Sequence, residues 1–508
     1  MPRRQPNILI LMADQMAPRV LKAYGGKVAR TPNIDRLAER AVVFDNAYCN
    51  SPLCAPSRFT FMSGQLPSAI GGYDNAAELA AQVPTFAHYL RQAGYRTVLS
   101  GKMHFCGPDQ LHGFEERLTT DIYPADFGWT PDWTRPDVRL DWYHTMDSVT
   151  QAGPCVRSNQ IDFDEEVVFT ARRKLFDIAR DGDDRPFCMV VSMTHPHDPF
   201  TIPEPWWSRH SDDEIDMPRV SAEEVPLDPH AKRVRLVIGL EQQSVTEDQI
   251  RAARRAYYGA CGFVDDQIGS ILSALDETGM SEDTVVILLG DHGEMLGERG
   301  LWYKMNFFEG GCRIPLMIAG PGQFAPGRVS NAVSLADILP TLVEIAGDGT
   351  APVYADRLDG RSLIPHLTGQ GGHDEVIGEY LGEAAVAPIV MLRRGSMKFV
   401  HCPVDPDQLY DLASDPDERV NLAADPAHAD TVAACRAEIA QRWDLDRLHA
   451  EVLASQSRRR LVADALTKGV QTPWDHQPHV AASQSYVRNH IKLDDLEAMA
   501  RFPRVTSE

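Results

Sequence analysis

The sequence predicts an α/β fold: a large, mostly parallel sheet sandwiched by helices, then a smaller C-terminal antiparallel sheet with a packed helix and an extended tail. Three observations carry this. Short runs that are apolar throughout, such as those at 7–12 and 187–193, alternate with stretches of helical periodicity. The chain has 508 residues, too many for one ordinary core. After about Gly371 the texture shifts to closely spaced strand-like runs. The expected division is a catalytic domain over 1–370, an α+β subdomain over 371–465 and a tail over 466–508 that contributes to oligomerisation and a substrate pocket.

The first element is a strand at 7–12, buried on both faces. Thr31-Pro32 opens a helix with a cap residue and a proline in its first turn, and Ile34, Leu37, Ala38 and Ala41 recur at helical spacing. A helix over 85–93 stops at Gly94, and a strand follows at 96–99. Residues 187–193 form a further strand. One long helix spans 247–278, closed by Gly279. Strands follow at 285–289 and 313–318, then a helix over 335–346 with a proline inside it. The second part has strands at 376–380, 389–392, 398–401 and 408–410, then one helix from about Pro426 to Ser457. From about Leu466 the chain is polar and loop-rich.

Composition is that of a globular protein, at 43% hydrophobic and 24% charged, and makes no case for disorder. Acids outnumber bases 72 to 50, for a net charge of −22. A surface this acidic argues against nucleic acid or an anionic membrane as partner and tolerates a cationic ligand. Nine scattered cysteines show no small disulfide framework, which favours a reducing compartment. The basic N-terminus with its apolar run resembles a signal peptide only superficially, because the run is short and ends in Asp14. No run approaches a membrane span in length. The expected location is the cytoplasm.

In parallel sheets, ligands bind beyond the carboxyl ends of the strands. Asp14 and Gln15 follow the first strand, and Asp291 and His292 follow the strand at 285–289. Two carboxylates and an imidazole at one sheet edge suit a divalent cation. Cys54 opens a helix in Cys54-Ala55-Pro56-Ser57-Arg58, where the helix terminus offers free N–H groups. Lys102 and His104 follow the strand at 96–99, His195 and His197 follow 187–193, and Lys304 lies in the loop after Asp291. Gathered at one point, these residues suit a tetrahedral oxyanion.

At these residues the chain resembles the type I, formylglycine-dependent sulfatases of the alkaline phosphatase superfamily, over about residues 5–440. Cys54-Ala55-Pro56-Ser57-Arg58 matches the family's Cys-x-Pro-Ser-Arg signature, and Gly101-Lys102-Met103-His104 resembles its Gly-Lys-x-His signature. The runs Thr31 to Leu37, Glu309 to Pro315 and Leu409 to Leu412 are further landmarks. Within the family the chain looks most like the choline sulfatase branch, on Gly128-Trp129, on Thr194 to Phe200, and on a tail with Pro473-Trp474-Asp475 and Arg488-Asn489-His490.

The resemblance implies that a formylglycine-generating maturation enzyme oxidises Cys54 to an aldehyde. Its hydrate attacks sulfur with one hydroxyl, forms a covalent sulfo-enzyme intermediate, and expels sulfate with the other. It implies a metal site of Asp14, Cys54, Asp291 and His292. Arg58 orients the diol, and Lys102 and Lys304 hold the sulfate oxygens. His197 is the general acid and His104 the base that releases sulfate. His195 either supports His197 or binds the leaving group. The family's ion is Ca²⁺; here one carboxylate gives way to an imidazole, so Mn²⁺ and Mg²⁺ stay open. A small sulfate ester is the implied substrate, choline-O-sulfate first, and related enzymes imply a homodimer or tetramer. A quaternary ammonium needs aromatic faces and carboxylates. The expected contacts are Trp129, Asn75 and His144, with Asp494 or Asp495 of the tail reaching into an active site of the same chain or of a neighbour. Two alternatives stay open: a phosphonate monoester or phosphodiester hydrolase using the same nucleophile, and a catalytically inactive relative that binds an anion.

Overall fold

The computed structural model describes residues 5–347, 352–480, 482 and 491–503. Its main sheet comprises β1 (Asn7–Ala13), β2 (Val42–Tyr48), β3 (Arg96–Gly101), β4 (Glu116–Arg117), β5 (Phe187–Met193), β6 (Thr284–Gly290), β7 (Arg313–Ile314), β8 (Leu316–Ala319) and β9 (Gly327–Ser334). The strand order is β9-β2-β8-β6-β1-β5-β3-β4, with β7 beside β2. β1 runs parallel to both neighbours, with Ile8 opposite Cys188 and Val285. Every residue of β5 and β6 is buried, which is why these runs carry no polar alternation. β8 alone on this path runs against its neighbours. The single strand expected over 313–318 is split at Pro315, which has no N–H to give the ladder.

The helices α1 (Pro32–Glu39), α2 (Cys54–Ser63), α3 (Phe86–Gln92), α4 (Asn159–Asp181), α5 (Glu247–Glu277) and α6 (Ile338–Ala346) fall into two packed groups. One joins α1 and α4 to α5; the other joins α2, α3 and α6. Thr31 holds the cap position of α1 but makes no side-chain cap bond. Asp265 of α5 replaces it, accepting from the backbone N–H of Asn33 at 3.2 Å and of Ile34 at 2.8 Å. The expected helix over 335–346 begins as a short 3₁₀ turn, which leaves Pro340 in the first turn of α6, where a missing N–H costs little. Sequence reasoning passed over β2, β9 and α4.

The second sheet is antiparallel throughout, in chain order: β10 (Glu375–Tyr380), β11 (Ile389–Arg394), β12 (Met397–Cys402) and β13 (Asp405–Asp411). Alternation along β11 sorts its residues between two cores. Ile389 and Met391 join the main core, while Val390 and Leu392 join a small one with Val432 and Ile439 of α7 (Ala429–Arg442). The one long C-terminal helix expected is two. α7 ends at Arg442, and the Asp444 side chain caps α8 (Leu445–Leu466) by accepting from the N–H of Arg447. The tail is more ordered than its composition predicts. Trp474 packs on Phe127, Asp475 accepts from the N–H of Ala125, and α9 (Leu493–Ala500) is helical. Arg488, Asn489 and His490 lie outside the described residues. Among the described residues no helix is long and apolar enough to cross a membrane. All nine cysteines are free.

Candidate active site

Four parallel strand ends and the start of α2 converge on one buried cluster. β1 delivers Asp14 and Gln15, β6 delivers Asp291 and His292, β3 delivers Lys102 and His104, and β5 leads into the strap from Thr194 to Phe200. Arg58, one helical turn after Cys54 and fully buried, ties the ends together. Its Nε donates to Asp291 Oδ2 at 2.9 Å and its Nη2 to Asp14 Oδ2 at 3.3 Å. Its Nη1 donates to the Lys102 carbonyl at 2.6 Å and to Ser192 Oγ at 2.8 Å. One planar fork thus fixes the relative positions of four strand ends.

Around this knot the ligand-type atoms of Asp14, Cys54, Asp291 and His292 lie within 4.8 Å of one another. His292 Nε2 is 3.1 Å from Cys54 Sγ, 3.6 Å from Asp14 Oδ1 and 3.7 Å from Asp291 Oδ2. His292 Nδ1 is 3.0 Å from the Gly293 carbonyl, which orients the ring and leaves Nε2 toward the cluster. Asp14 Oδ1 is buried with no hydrogen-bond partner among the described residues. An orphaned carboxylate oxygen, a second carboxylate, an imidazole and a cysteine fit a divalent cation.

Burial pushes the Asp14 carboxyl up, but Lys102, His197 and Arg58 outweigh it and hold the group well below the usual carboxylate range. Lys102 Nζ bonds Asp14 Oδ2 directly. Burial opposes the charge of Lys304, yet Cys54 and the carboxylates of Asp198, Asp14 and Asp291 raise its pKa, so it stays an ammonium. Lys304 Nζ donates to Gln15 Oε1 at 2.6 Å and lies 2.8 Å from His197 Nε2. His197 Nδ1 is 2.6 Å from the Asp198 carbonyl. Burial and the Lys304 charge lower the His197 pKa far below that of free imidazole. His197 is therefore neutral, with Nε2 accepting from Lys304. Burial likewise drives His104 toward neutrality, against the pull of Cys54. Neither of its ring nitrogens has a hydrogen-bond partner among the described residues.

A cavity opens above Cys54. Asn75, Trp129, His144 and His197, all singled out from the sequence, line it with Tyr123, Trp142, Gln160, Asp198 and Glu383. Trp129 and Trp142 stack with ring planes 11° apart, and Tyr123 lies 5.1 Å from Trp129. Asn75 Oδ1 also accepts from the N–H of Ala55 at 3.0 Å, completing the start of α2. His195 does not reach the cavity. Its Nδ1 lies 2.7 Å from Asp164 of α4, which also accepts from the N–H groups of Thr194 and His195. That is the geometry of a support for the strap rather than of a substrate contact. Asp494 and Asp495 are exposed on α9 and line no part of this chain's cavity among the described residues. α9 is anchored instead by Leu496, and Phe502 just beyond it packs on Phe176 of α4. Sequence reasoning missed Glu383, Asp198 and Tyr123 as lining residues. Asp198 had a cue, since it sits between His197 and Pro199 after β5; Glu383 and Tyr123 had none.

A family model described as Sulfatase matches residues 6–348, and one described as Choline sulfatase enzyme C terminal matches residues 450–502. The choline-sulfatase of Rhizobium meliloti (strain 1021) is 48% identical over 510 residues, covering 98% of this chain and 99% of its own. Arylsulfatase K of Homo sapiens is 28% identical over 460 residues, covering 81% and 77%. Among solved structures, the phosphonate monoester hydrolase of Agrobacterium radiobacter superposes with a TM-score of 0.68 at 26% identity, covering 87% of this chain and 96% of that one. The fold and the matched family define a hydrolase. The chain belongs to the sulfatase family and is a sulfuric ester hydrolase.

Proposed function

We propose that the protein hydrolyses choline-O-sulfate to choline and sulfate. The observation that carries this is the cavity above Cys54. Its walls are aromatic (Tyr123, Trp129, Trp142), and Glu383 presents a buried carboxylate oxygen, Oε2, with no partner among the described residues. A quaternary ammonium donates no ordinary hydrogen bond, so aromatic faces and an unpaired carboxylate are what would hold it. Asp198 adds a second negative charge.

In this reading Cys54 acts as formylglycine, whose hydrate offers one hydroxyl to attack sulfur and another to expel sulfate. Asp14, Asp291, His292 and residue 54 would hold a divalent cation, Ca²⁺ first and Mn²⁺ or Mg²⁺ as alternatives, which would polarise the sulfate. Lys102 and Lys304 bind sulfate oxygens. The leaving alkoxide takes its proton from the Lys304–His197 pair, where Nζ and Nε2 already share one. His104, neutral and facing residue 54, accepts the proton of the second hydroxyl. Arg58 fixes the carboxylates, since its donors are committed to strand ends. The division at 370 and 465, the cytoplasmic location, the maturation enzyme and a homo-oligomer belong to the same proposal; nine free cysteines support the location.

The test compares choline sulfate with 3,3-dimethylbutyl sulfate, its neutral isostere. We expect kcat/KM to favour the cation by about 100-fold, from a buried charge pair and cation–π contacts together. Equal values would remove choline from the proposal. Phenyl phosphonate esters serve as the third substrate, because the phosphonate hydrolase likeness makes them the competing class.

Chelation bears on the cation. Treatment with EDTA is expected to abolish turnover and to lower Tm, because it withdraws a cation that would bind only the folded state. Thermal scans with Ca²⁺ or Mn²⁺ restored identify the ion. A Tm indifferent to both would count against the site.

A further inference from the structure

We infer that Arg459 of α8, which touches no reacting atom, is a positioning residue that sets the walls of the leaving-group pocket through Asp74 and Thr130. The inference rests on the pocket reading above.

Arg459 is 7% exposed and Asp74 is fully buried. The guanidinium grips the carboxylate with both arms, Nη1 to Oδ1 at 2.6 Å and Nη2 to Oδ2 at 2.7 Å. Nη1 also donates to Thr130 Oγ1 at 3.2 Å, and Nε to Ser455 Oγ at 3.2 Å. Neither partner lines the pocket, but each adjoins a residue that does. Asp74 precedes Asn75, and its Oδ1 also accepts from the N–H of Ala76 at 3.0 Å, which shapes the turn that aims Asn75. Thr130 follows Trp129, and its hydroxyl donates onward to the Phe127 carbonyl at 2.8 Å.

The same helix reaches the third wall. Gln456 Oε1, less than one turn before Arg459, accepts from the N–H of Trp133 at 3.0 Å. Trp133 Nε1 donates to the Gly382 carbonyl at 2.9 Å, beside Glu383. Asn75 and Trp129 are thus each one residue away from a group held by α8, and Glu383 is one residue away from a group held by Trp133, which α8 holds in turn. The segment matched by the choline sulfatase C-terminal model, 450–502, contains both Gln456 and Arg459. This gives that segment a physical task within its own chain: it sets the pocket's shape without entering it. Only a planar, permanently charged fork meets both carboxylate oxygens and a hydroxyl at once, so lysine is no substitute.

The test uses full-length Arg459→Gln, Arg459→Lys and the neutral pair Asp74→Asn with Arg459→Gln, each assayed on choline sulfate and on 4-nitrophenyl sulfate. The pair removes the stranded buried charge, so it reports even where Arg459→Gln fails to fold. We expect KM for choline sulfate to rise about tenfold in Arg459→Gln and in Arg459→Lys, with kcat for 4-nitrophenyl sulfate changed less than about threefold. The pair should match Arg459→Gln rather than exceed it, because both lose one shared connection. A merely structural role would lower turnover of both esters together, in step with the folded fraction; that result, or an unchanged KM in all three variants, overturns the inference. Failure of the underlying reading looks different. It would appear in the unaltered protein, as no preference for choline sulfate over its neutral isostere.

Discussion

Cys54→Ala is expected to abolish turnover of every ester the protein accepts, by at least about 10⁴-fold, while the chain still folds and loses no more Tm than EDTA removes from the unaltered protein. The two halves of this result come from one geometry. The Cys54 side chain lies at the start of α2 with its sulfur 3.1 Å from His292 Nε2, inside the ring of Asp14, Lys102, His104 and Lys304. All other groups act on what this side chain carries, so none can replace it. Yet it contributes one small buried atom to packing, and the helix keeps its Asn75 cap without it. Cys54→Ser sharpens the test. A serine can accept the sulfuryl group but has no second hydroxyl to expel it, so the reaction should stop after one turnover. Alcohol release counted against enzyme reads this directly: one equivalent of alcohol appears, while the sulfate stays on the serine as its ester. Sustained activity in either variant would mean that another residue is the nucleophile.

Glu383→Gln is expected to raise KM for choline sulfate by about 100-fold and to leave a neutral ester within about threefold, since a buried charge pair is lost while shape is kept. Burial pushes this carboxyl up to about 7, and Asp74 adds to the rise while Lys304 opposes it. Only the ionised form attracts an ammonium group. Below about pH 7 the ionised fraction falls, so kcat/KM for choline sulfate should fall with it and level off above. Asp198 does not share this titration: burial pushes it up, but His197 and His144 hold it far below the usual carboxylate range. The pH profile of the neutral ester should lack the step, and so should that of Glu383→Gln. A step that persists in the variant would assign it to another group.

What the sequence shows and what it hides follow from how each residue is held. Asp14, Lys102 and Asp291 are legible because each closely follows an apolar run that can only be a buried strand. Cys54 and Arg58 are legible because one helix turn places them together in a contiguous motif. Glu383 carries no local mark. It sits in the turn between β10 and β11, in the second sheet, and reaches the cavity because that sheet packs on the main core. Asp164 is a different case. α4 announces itself through the Ser158 cap, the closing Gly182 and apolar residues at 161, 168, 171, 175 and 178, so the helix was there to be read. What could not be read is that its acid would grip the strap of His195 from across the layer, since nothing short-range links them.

The depth of α2 also bears on when the chain acquires its chemistry. Every residue from Cys54 to Ser63 is buried, and Cys54 itself is 1% exposed. An enzyme that oxidised this thiol by holding the chain around it would need a segment that the folded molecule buries, since residues 49–53 and the whole of α2 are buried. The oxidation proposed for Cys54 therefore belongs to the life of the chain before folding. Folding and modification become competitors in time, and a molecule that folds first keeps the segment around this thiol out of another protein's grasp. The active fraction of a preparation is then set by how early that oxidation comes relative to the burial of α2.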